Sequence, residues 1–214
     1  MKRIVCFGLL VLCFPLILCA QEQVDVPTWN VGDKWVFGDI GTIEVVEADQ
    51  NSYVLKYSDD ICVSENWEFN TIILEKSTLH RIYTLQGDQR KKYTKAKRRI
   101  FNFPLIPGKQ WKDVFSATPV VSVASHYGDL NYYETFKVIG WEDIEVQAGK
   151  FKTIKLEITI GHTAQKGAPG YEGKSLYWYS PEAKYFVKCQ YDHWAEAIFS
   201  EIVSWELTSF KVMK

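Results

Sequence analysis

The strongest constraint on the fold is an uninterrupted two-residue alternation late in the chain. From residue 153 to residue 160 every even position is aliphatic and every odd position is polar. Side chains two residues apart point to the same face of a pleated strand, so this segment has one apolar and one polar face. Shorter alternating runs occur at residues 53–57, 176–178, 185–191 and 203–207. The chain is therefore predicted to fold mainly as β-sheet.

Turn-forming residues separate these runs. Gly, Pro, Asp and Asn recur between them at short intervals, which is typical of antiparallel strands joined by tight turns. Long 3.6-residue periodicity is missing from the sequence, and only residues 62–69 and 194–199 could form short helices. We predict a mainly β fold with little helix, built as a single antiparallel and strongly curved sheet in an open or half β-barrel. The sequence leaves open whether its edges close, curl around a helix or stack on another sheet.

The last alternating run changes parity. Val203, Trp205 and Leu207 occupy odd positions, whereas the apolar residues that follow, Phe210 and Val212, occupy even ones. An extra residue near position 208 would keep one face buried, so a β-bulge is predicted there.

The N-terminal segment has the order of a secretory signal. Two basic residues precede an apolar run over residues 4–18, and polar residues begin at Gln21. The run is shorter than the roughly 20 residues that a membrane-spanning helix needs, which disfavours an uncleaved anchor. We predict a signal peptide at residues 1–20 and a single β-rich domain at residues 21–214.

The cleavage site has two interpretations. Leu18 and Ala20 fit cleavage after Ala20, whereas the residues before Cys19 resemble a lipoprotein box. A lipoprotein box usually has a small residue just before its cysteine, and Leu18 is large. Cleavage after Ala20 is therefore favoured, with a lipid on Cys19 as the alternative.

Two cysteines, Cys62 and Cys189, remain beyond the signal. In an oxidising compartment such a pair favours one disulfide bond. The alternative is two buried free thiols.

Charge is nearly balanced, with 25 basic and 26 acidic residues and a formal net charge of −1. This balance gives no global cationic field, so no nucleic-acid partner is expected.

Residues 90–99 nevertheless contain a dense basic patch. Its seven members are Arg90, Lys91, Lys92, Lys95, Lys97, Arg98 and Arg99. The patch could make peripheral contact with an anionic membrane; the simpler interpretation is an edge strand or hairpin whose charges deter strand pairing.

Residues for catalysis do not converge in the sequence. His80, His126, His162 and His193 lie far apart, without the close spacing of a zinc motif. Asp192, His193 and Glu196 form the nearest local group, and a polar loop explains them better than an acid–base site. The sequence also lacks a nucleophile elbow and a phosphate-binding glycine loop. We therefore expect no enzyme activity, no metal and no cofactor.

Aromatic residues are unusually frequent: eight Trp, twelve Tyr and twelve Phe. On a concave sheet face they could line an apolar pocket, although core packing is the simpler interpretation. Six residues share the parity expected of such a ligand-binding face, namely Phe136, Val138, Leu156, Ile158, Leu176 and Trp178.

Four segments together carry a family resemblance. They read WNVGDKWVF from Trp29, FPLIPGKQW from Phe103, GWEDIEVQAGKFKTIKL from Gly140 and YWYSPEAKYFVK from Tyr177, and the sequence ELTSF follows later. In this order the series resembles the TapB-like bacterial envelope proteins, and it is similar in pattern to exported proteins with the open, curved sheet of the lipoprotein carrier LolA. The resemblance implies a half-barrel around apolar side chains and a lipid or lipoprotein ligand. It supplies no catalytic residues.

These observations lead to two functional expectations. The first is a non-enzymatic protein of the bacterial cell envelope, exported to the periplasm or outer envelope, that binds an apolar ligand on the concave face of its sheet. The second is a structural or adaptor protein that docks another envelope protein through its outer face or a sheet edge.

Overall fold

The structure is a computed structural model that describes residues 22–38, 41–58, 71–86, 89–92, 99, 101–117, 130–167, 169–191 and 204–213. Several predictions fall outside these residues: the signal peptide, the short helices at 62–69 and 194–199, and the group around His193. Cys62 and His126 also lie outside them.

Thirteen strands make up the described part of the chain, and they form two sheets. The seven-stranded sheet contains β1 (Lys34–Val36), β2 (Thr42–Ala48), β3 (Ser52–Tyr57), β4 (Thr71–Glu75), β5 (Arg81–Gln86), β6 (Gln89–Lys92) and β13 (Ser209–Lys211). Its strand order is β13-β1-β2-β3-β4-β5-β6. The six-stranded sheet contains β7 (Gln110–Ala117), β8 (Leu130–Val146), β9 (Gly149–His162), β10 (Tyr171–Ser180), β11 (Tyr185–Tyr191) and β12 (Trp205–Glu206). Its strand order is β12-β11-β10-β9-β8-β7.

The mainly β, antiparallel and open fold is confirmed. Every strand pair is antiparallel, the two sheets end at different strands without closing, and the described residues contain no α-helix. The strands divide between two hydrogen-bonded sheets, where the sequence predicted one.

The alternating segment that dominates the sequence forms β9. Ile154, Leu156 and Ile158 are buried, and the intervening Lys155 and Glu157 are half-buried. A tight hairpin connects β8 to β9, where Gly149 has a φ of 135°. Glycine adopts this conformation without the steric penalty that other residues pay, which explains its place in the turn.

The parity change near residue 208 has a different cause from the predicted β-bulge. Trp205 and Glu206 pair with β11 of one sheet, and residues 209–211 pair with β1 of the other. Between them, the Leu207 N–H donates to the Val187 carbonyl at 2.8 Å, and the Thr208 N–H donates to the Val36 carbonyl at 2.8 Å. The C-terminal segment therefore crosses from one sheet to the other.

Two tryptophans, Trp29 and Trp35, hydrogen-bond to the same turn of the six-stranded sheet. The Trp29 indole N–H donates to the Lys184 carbonyl at 3.0 Å, and that of Trp35 donates to the Ala183 carbonyl at 2.6 Å. Both carbonyls belong to the turn between β10 and β11. The Tyr185 ring lies 4.9 Å from Trp35 and 6.0 Å from Trp29, measured between centroids. Aromatic packing and indole hydrogen bonds together hold the two sheets in contact.

Across the described residues, no helix combines the length and the apolar character needed to cross a membrane.

Candidate functional site

Four of the six predicted ligand-binding residues share one buried face. Phe136 is the register partner of Ile158, and Val138 is that of Leu156. All four belong to the buried core. The Trp111 ring stacks on Phe136 with centroids 4.8 Å apart and planes 5° from parallel. Side chains of the protein therefore occupy the space above Phe136.

The other two predicted residues lie on the opposite face. Leu176 pairs with Glu157 and Trp178 pairs with Lys155, so they share the face of these polar residues. Shared parity therefore does not place these two residues beside the other four, although Trp178 belongs to the same core cluster and Leu176 packs against it. The cause is a run of apolar residues from Leu176 to Tyr179, in which either parity could be the buried one. Parity within a strand does not fix its register against the next strand.

Trp178 is nevertheless buried, because charged side chains cover it. Lys155 Nζ lies 4.8 Å from its ring centroid and Lys188 Nζ lies 5.7 Å away. Its indole N–H donates to Glu142 Oε2 at 3.2 Å. Cation–π contacts and this hydrogen bond account for a tryptophan on a polar face. The ligand-binding role of all six residues stays a prediction.

A cavity of about 40 Å³ is lined by residues from both sheets, and none of the six predicted residues is among them. The lining residues are Tyr57, Ile72, Leu74, Leu79, Arg81, Phe101 and Tyr185. Most of this lining is apolar, with one guanidinium and two tyrosines as its polar members. An apolar wall with few polar groups is typical of small-molecule pockets in composition, but this cavity is far smaller than such pockets.

Arg81 is the charged residue of the cavity wall. It begins β5, and only 8% of its surface is exposed. Its charge acts on Tyr57 and Tyr185, which hydrogen-bond to each other through their side chains. Burial raises the pKa of both tyrosines, and the positive charge of Arg81 opposes the increase. Both hydroxyl groups therefore remain protonated at neutral pH.

Two lining residues belong to connecting segments rather than to strands. Leu79 lies in the turn between β4 and β5, and Phe101 lies in the segment that leads to β7. The Phe101 ring stacks on Phe103 at 5.3 Å and on Phe186 at 5.0 Å between centroids. Neither side chain belongs to a strand, and both are buried in the cavity wall.

An ion pair fixes the segment that carries Phe101. Arg99 donates through Nε and Nη2 to Asp113 Oδ1, at 2.9 and 2.6 Å, and its backbone N–H donates to Oδ2 at 2.6 Å. The Trp111 indole N–H donates to the Arg99 carbonyl at 2.8 Å. Asp113 is buried on β7, so this polar clasp of Arg99 and Asp113 ties the segment to the six-stranded sheet.

His80 connects the same segment to the seven-stranded sheet. Its side chain hydrogen-bonds to the backbone of Phe101. Partial burial lowers the pKa of His80, and the nearby positive charge of Arg99 lowers it further. His80 is therefore mostly neutral at neutral pH and acts here as a contact between the sheets.

His162 is the other histidine in the described part of the chain. Its Nδ1 lies 3.1 Å from the Thr163 carbonyl, and its ring packs against Tyr132. Within the described ranges, no group of three or more His, Cys, Asp or Glu side chains could hold a metal ion.

Cys189 is a buried thiol on β11. Burial raises the pKa of its thiol to about 12, which suppresses the reactive thiolate. Its predicted disulfide partner, Cys62, lies outside the described residues, so the bond stays a prediction.

The basic patch falls partly within the described chain. Residues 89–92 form β6, the edge strand of the seven-stranded sheet, as the simpler interpretation of the patch expected. The Arg99 guanidinium binds Asp113, so this member of the patch is engaged within the protein.

Sequence reasoning missed Arg81, Tyr57, Phe101 and the polar clasp. Parity gave no signal for Arg81: it shares odd parity with Tyr83, but a register shift between Ile73 and Leu74 places Arg81 opposite Leu74 and Tyr83 opposite Ile73, on different faces. Residues 99 and 113 lie on different segments, and no local pattern predicts that pair.

The described residues define a mainly β protein with two open antiparallel sheets and a small cavity lined from both of them. No protein-family model and no curated protein match this chain.

Comparison with solved structures finds distant matches. One is the hypothetical lipoprotein YmcC of Escherichia coli, at 10% identity, covering 76% of this chain and 81% of that chain, with a TM-score of 0.41. Others are a candidate lipoprotein of Parabacteroides distasonis, at 14% identity, and a candidate exported protein with a YmcC-like fold from Bacteroides fragilis, at 12%. Each of these two covers 89% of this chain and 100% of its own, with a TM-score of 0.43. Similarity at this level transfers no function.

Proposed function

We propose that this chain is a non-enzymatic protein of the bacterial cell envelope that binds an apolar ligand between its two sheets. The observation that carries the proposal is the intersheet cavity, with its mostly apolar wall and few polar groups. Export rests on the signal-like N-terminal sequence. A TapB-like identity and a LolA-like carrier role remain proposals from the sequence resemblance alone.

The size of the cavity determines how a ligand would enter. About 40 Å³ exceeds the 10–15 Å³ that one water needs, yet it holds no more than the end of a larger ligand. A longer apolar group would have to displace part of the wall. Leu79 and Phe101 are suited to this, because both lie outside the strands. We therefore place the entrance at these two side chains.

Removing the Phe101 ring should open this entrance. The purified protein is titrated with N-phenylnaphthylamine, a neutral apolar fluorophore, and Phe101→Ala is expected to bind it at least tenfold more tightly than the wild type, a gain of about 1.4 kcal/mol. The physical reason is that removal of the Phe101 ring leaves space for the ligand, whereas in the wild type the ligand must first displace that ring. Fluorescence titration measures both dissociation constants.

Two further variants make the result specific. Phe210→Ala is the matched control, because Phe210 is partly buried against Phe151, outside the cavity wall; it should leave binding unchanged. Leu79→Ala opens the same entrance if Phe101→Ala does not fold. Absence of saturable binding in the wild type and in both cavity variants would refute the proposal.

A second candidate function rests on the outer edge of strand β8. On the outer side of β8, the described pairing ends at Val138, whose N–H donates to Lys109 and whose carbonyl accepts from Gly108. Residues 139–146 have no partner strand on that side within the described chain. They include three acidic residues, Glu142, Asp143 and Glu145. This edge would suit an extended basic segment of another envelope protein, added as a further strand.

Hydrogen exchange tests this docking edge. Amides of residues 139–146 should exchange more slowly in isolated envelopes than in the purified protein, because a docked strand protects outward N–H groups. Asp143→Lys with Glu145→Lys should remove the extra protection by charge repulsion. Lys34→Glu on the other sheet serves as the control. Equal exchange in envelopes and in solution would contradict strand docking.

Peripheral membrane contact is a further proposal. It rests on the basic composition of residues 90–99, of which Arg99 is already bound to Asp113.

A further inference from the structure

Two strand edges of opposite charge are open in the described part of the chain. The acidic edge is the outer side of β8 over residues 139–146, which include three acidic residues and no basic one. The basic edge is the outer side of β6 (Gln89–Lys92), the last strand of the seven-stranded sheet, with three basic residues and no acidic one. Each edge presents backbone N–H and C=O groups with which a further strand can pair.

Two carboxylates of the acidic edge are available to a partner. Glu142 is engaged within the protein, because its Oε2 lies 3.0 Å from Lys155 Nζ. Asp143 and Glu145 are exposed. Glu145 Oε2 lies 3.6 Å from Lys150 Nζ, with 71% and 80% of the two side chains exposed, and an ion pair this exposed contributes little. The Asp143 and Glu145 carboxylates can therefore attract the basic side chains of an added strand.

Charge determines which edges pair with each other. Like charges opposite each other destabilise a strand pair, whereas opposite charges stabilise it. Two acidic edges or two basic edges therefore repel, and an acidic edge pairs best with a basic one. The remaining terminal strands fit the acidic edge less well, because β12 and β13 have only two and three residues, and β7 has one basic and one acidic residue.

Neither edge has a partner strand within the described chain. There β6 pairs only with β5, and residues 140–146 of β8 pair only with β9. We propose that copies of this chain associate head to tail, with β6 of one copy added as a strand to the acidic edge of the next. This inference rests on the second candidate function, since it names the partner of the same docking edge. Each added copy leaves one edge of each kind open, so the contact builds chains or rings larger than a dimer.

Sedimentation velocity of the purified wild type over a range of concentrations tests the proposal. At about 0.05 M salt, species larger than a dimer should form as the concentration increases. At about 0.5 M salt, the dissociation constant should be at least about tenfold higher, because salt screens the attraction between exposed charges.

Reversing the charge of one edge should prevent the contact. The acidic-edge variant, Asp143→Lys with Glu145→Lys, and the basic-edge variant, Arg90→Glu with Lys92→Glu, each have two edges of the same sign. Each variant alone should associate at least about tenfold more weakly than the wild type. An equimolar mixture should associate again, because each edge then meets an edge of opposite charge on the other variant.

Lys34→Glu with Lys56→Glu is the matched control. It changes the net charge by as much as the basic-edge variant, but at solvent-accessible positions on β1 and β3, which are interior strands of the seven-stranded sheet. It should leave association unchanged. Hydrogen exchange gives a second measurement in case a variant does not fold. In the wild type, amides of residues 89–92 and 139–146 should both exchange more slowly at high protein concentration than at low.

The outcomes separate self-association from the docking of another envelope protein. A monomer at every concentration would overturn self-association, as would association that both edge variants leave unchanged or that their mixture does not restore. Protection of residues 139–146 in isolated envelopes but not in the concentrated purified protein would overturn self-association and support the second candidate function. Absence of protection in both would overturn both proposals.

Discussion

Trp35→Ala is expected to destabilise the protein by about 4 kcal/mol, the middle of the range for replacing a buried aromatic residue by alanine. Trp35 is fully buried, at 0% exposure, and it lies in β1 of the seven-stranded sheet. Its ring contacts Trp29 at 5.4 Å and Tyr185 at 4.9 Å between centroids. The substitution leaves a large cavity at the contact between the sheets.

A second loss adds to the cavity. The Trp35 indole N–H donates to the Ala183 carbonyl, and alanine leaves this buried carbonyl without its donor. An unsatisfied buried polar group costs roughly 1–3 kcal/mol. Trp35→Phe keeps most of the aromatic volume while it removes the hydrogen bond, so it leaves a much smaller cavity than Trp35→Ala. We expect it to cost less than half as much as Trp35→Ala.

Urea denaturation of the three proteins measures these differences. Trp141→Ala is the comparison variant, because Trp141 is only partly buried at the edge of the core and the Lys152 ammonium group lies 4.7 Å from its ring centroid. A surface contact of this type contributes about 0.5–1 kcal/mol. If the Trp35 and Trp141 variants lost equal stability, the assignment of Trp35 as the link between the sheets would be wrong.

The strands were the most predictable part of this protein. Alternation from residue 153 to residue 160 determines β9 and its buried face, because only one parity of that segment is apolar. In β10 the same reasoning failed, since Leu176, Tyr177 and Trp178 are all apolar and both parities fit. Their orientation depends on hydrogen-bond register with β9, which is a property of two strands and not of one.

Association of the sheets was less accessible to sequence reasoning. The parity change after Leu207 was visible, but a bulge and a crossing between sheets produce the same pattern in one chain. Only the positions of Val187 and Val36, which accept hydrogen bonds from the crossing segment, distinguish the two. The candidate site depends on the same long-range association, because Tyr57 and Tyr185 reach the cavity from different sheets.

Arg99→Met is expected to destabilise the protein by about 3 kcal/mol, the lower end of the range for breaking a buried ion pair. Asp113 is buried, with 7% of its side chain exposed, whereas 35% of the Arg99 side chain is exposed. Loss of the guanidinium therefore leaves a carboxylate that cannot reach water. The lower end of the range applies because the backbone N–H at position 99 still donates to Asp113.

Because Asp113 is more deeply buried than Arg99, removing the charge of Asp113 should cost less stability than removing that of Arg99. Asp113→Asn leaves a guanidinium that can turn towards water and an amide oxygen that can still accept hydrogen bonds, so it should cost only about 1 kcal/mol. The double variant, Arg99→Met with Asp113→Asn, should be more stable than Arg99→Met alone, because the buried group is then neutral. Urea denaturation measures this recovery of stability.

Glu44→Gln at the exposed Lys34–Glu44 pair is the control, expected to change stability by less than about 1 kcal/mol. A double variant less stable than Arg99→Met would show that the cost does not come from a buried charge, and the clasp would then act through packing of the Arg99 side chain.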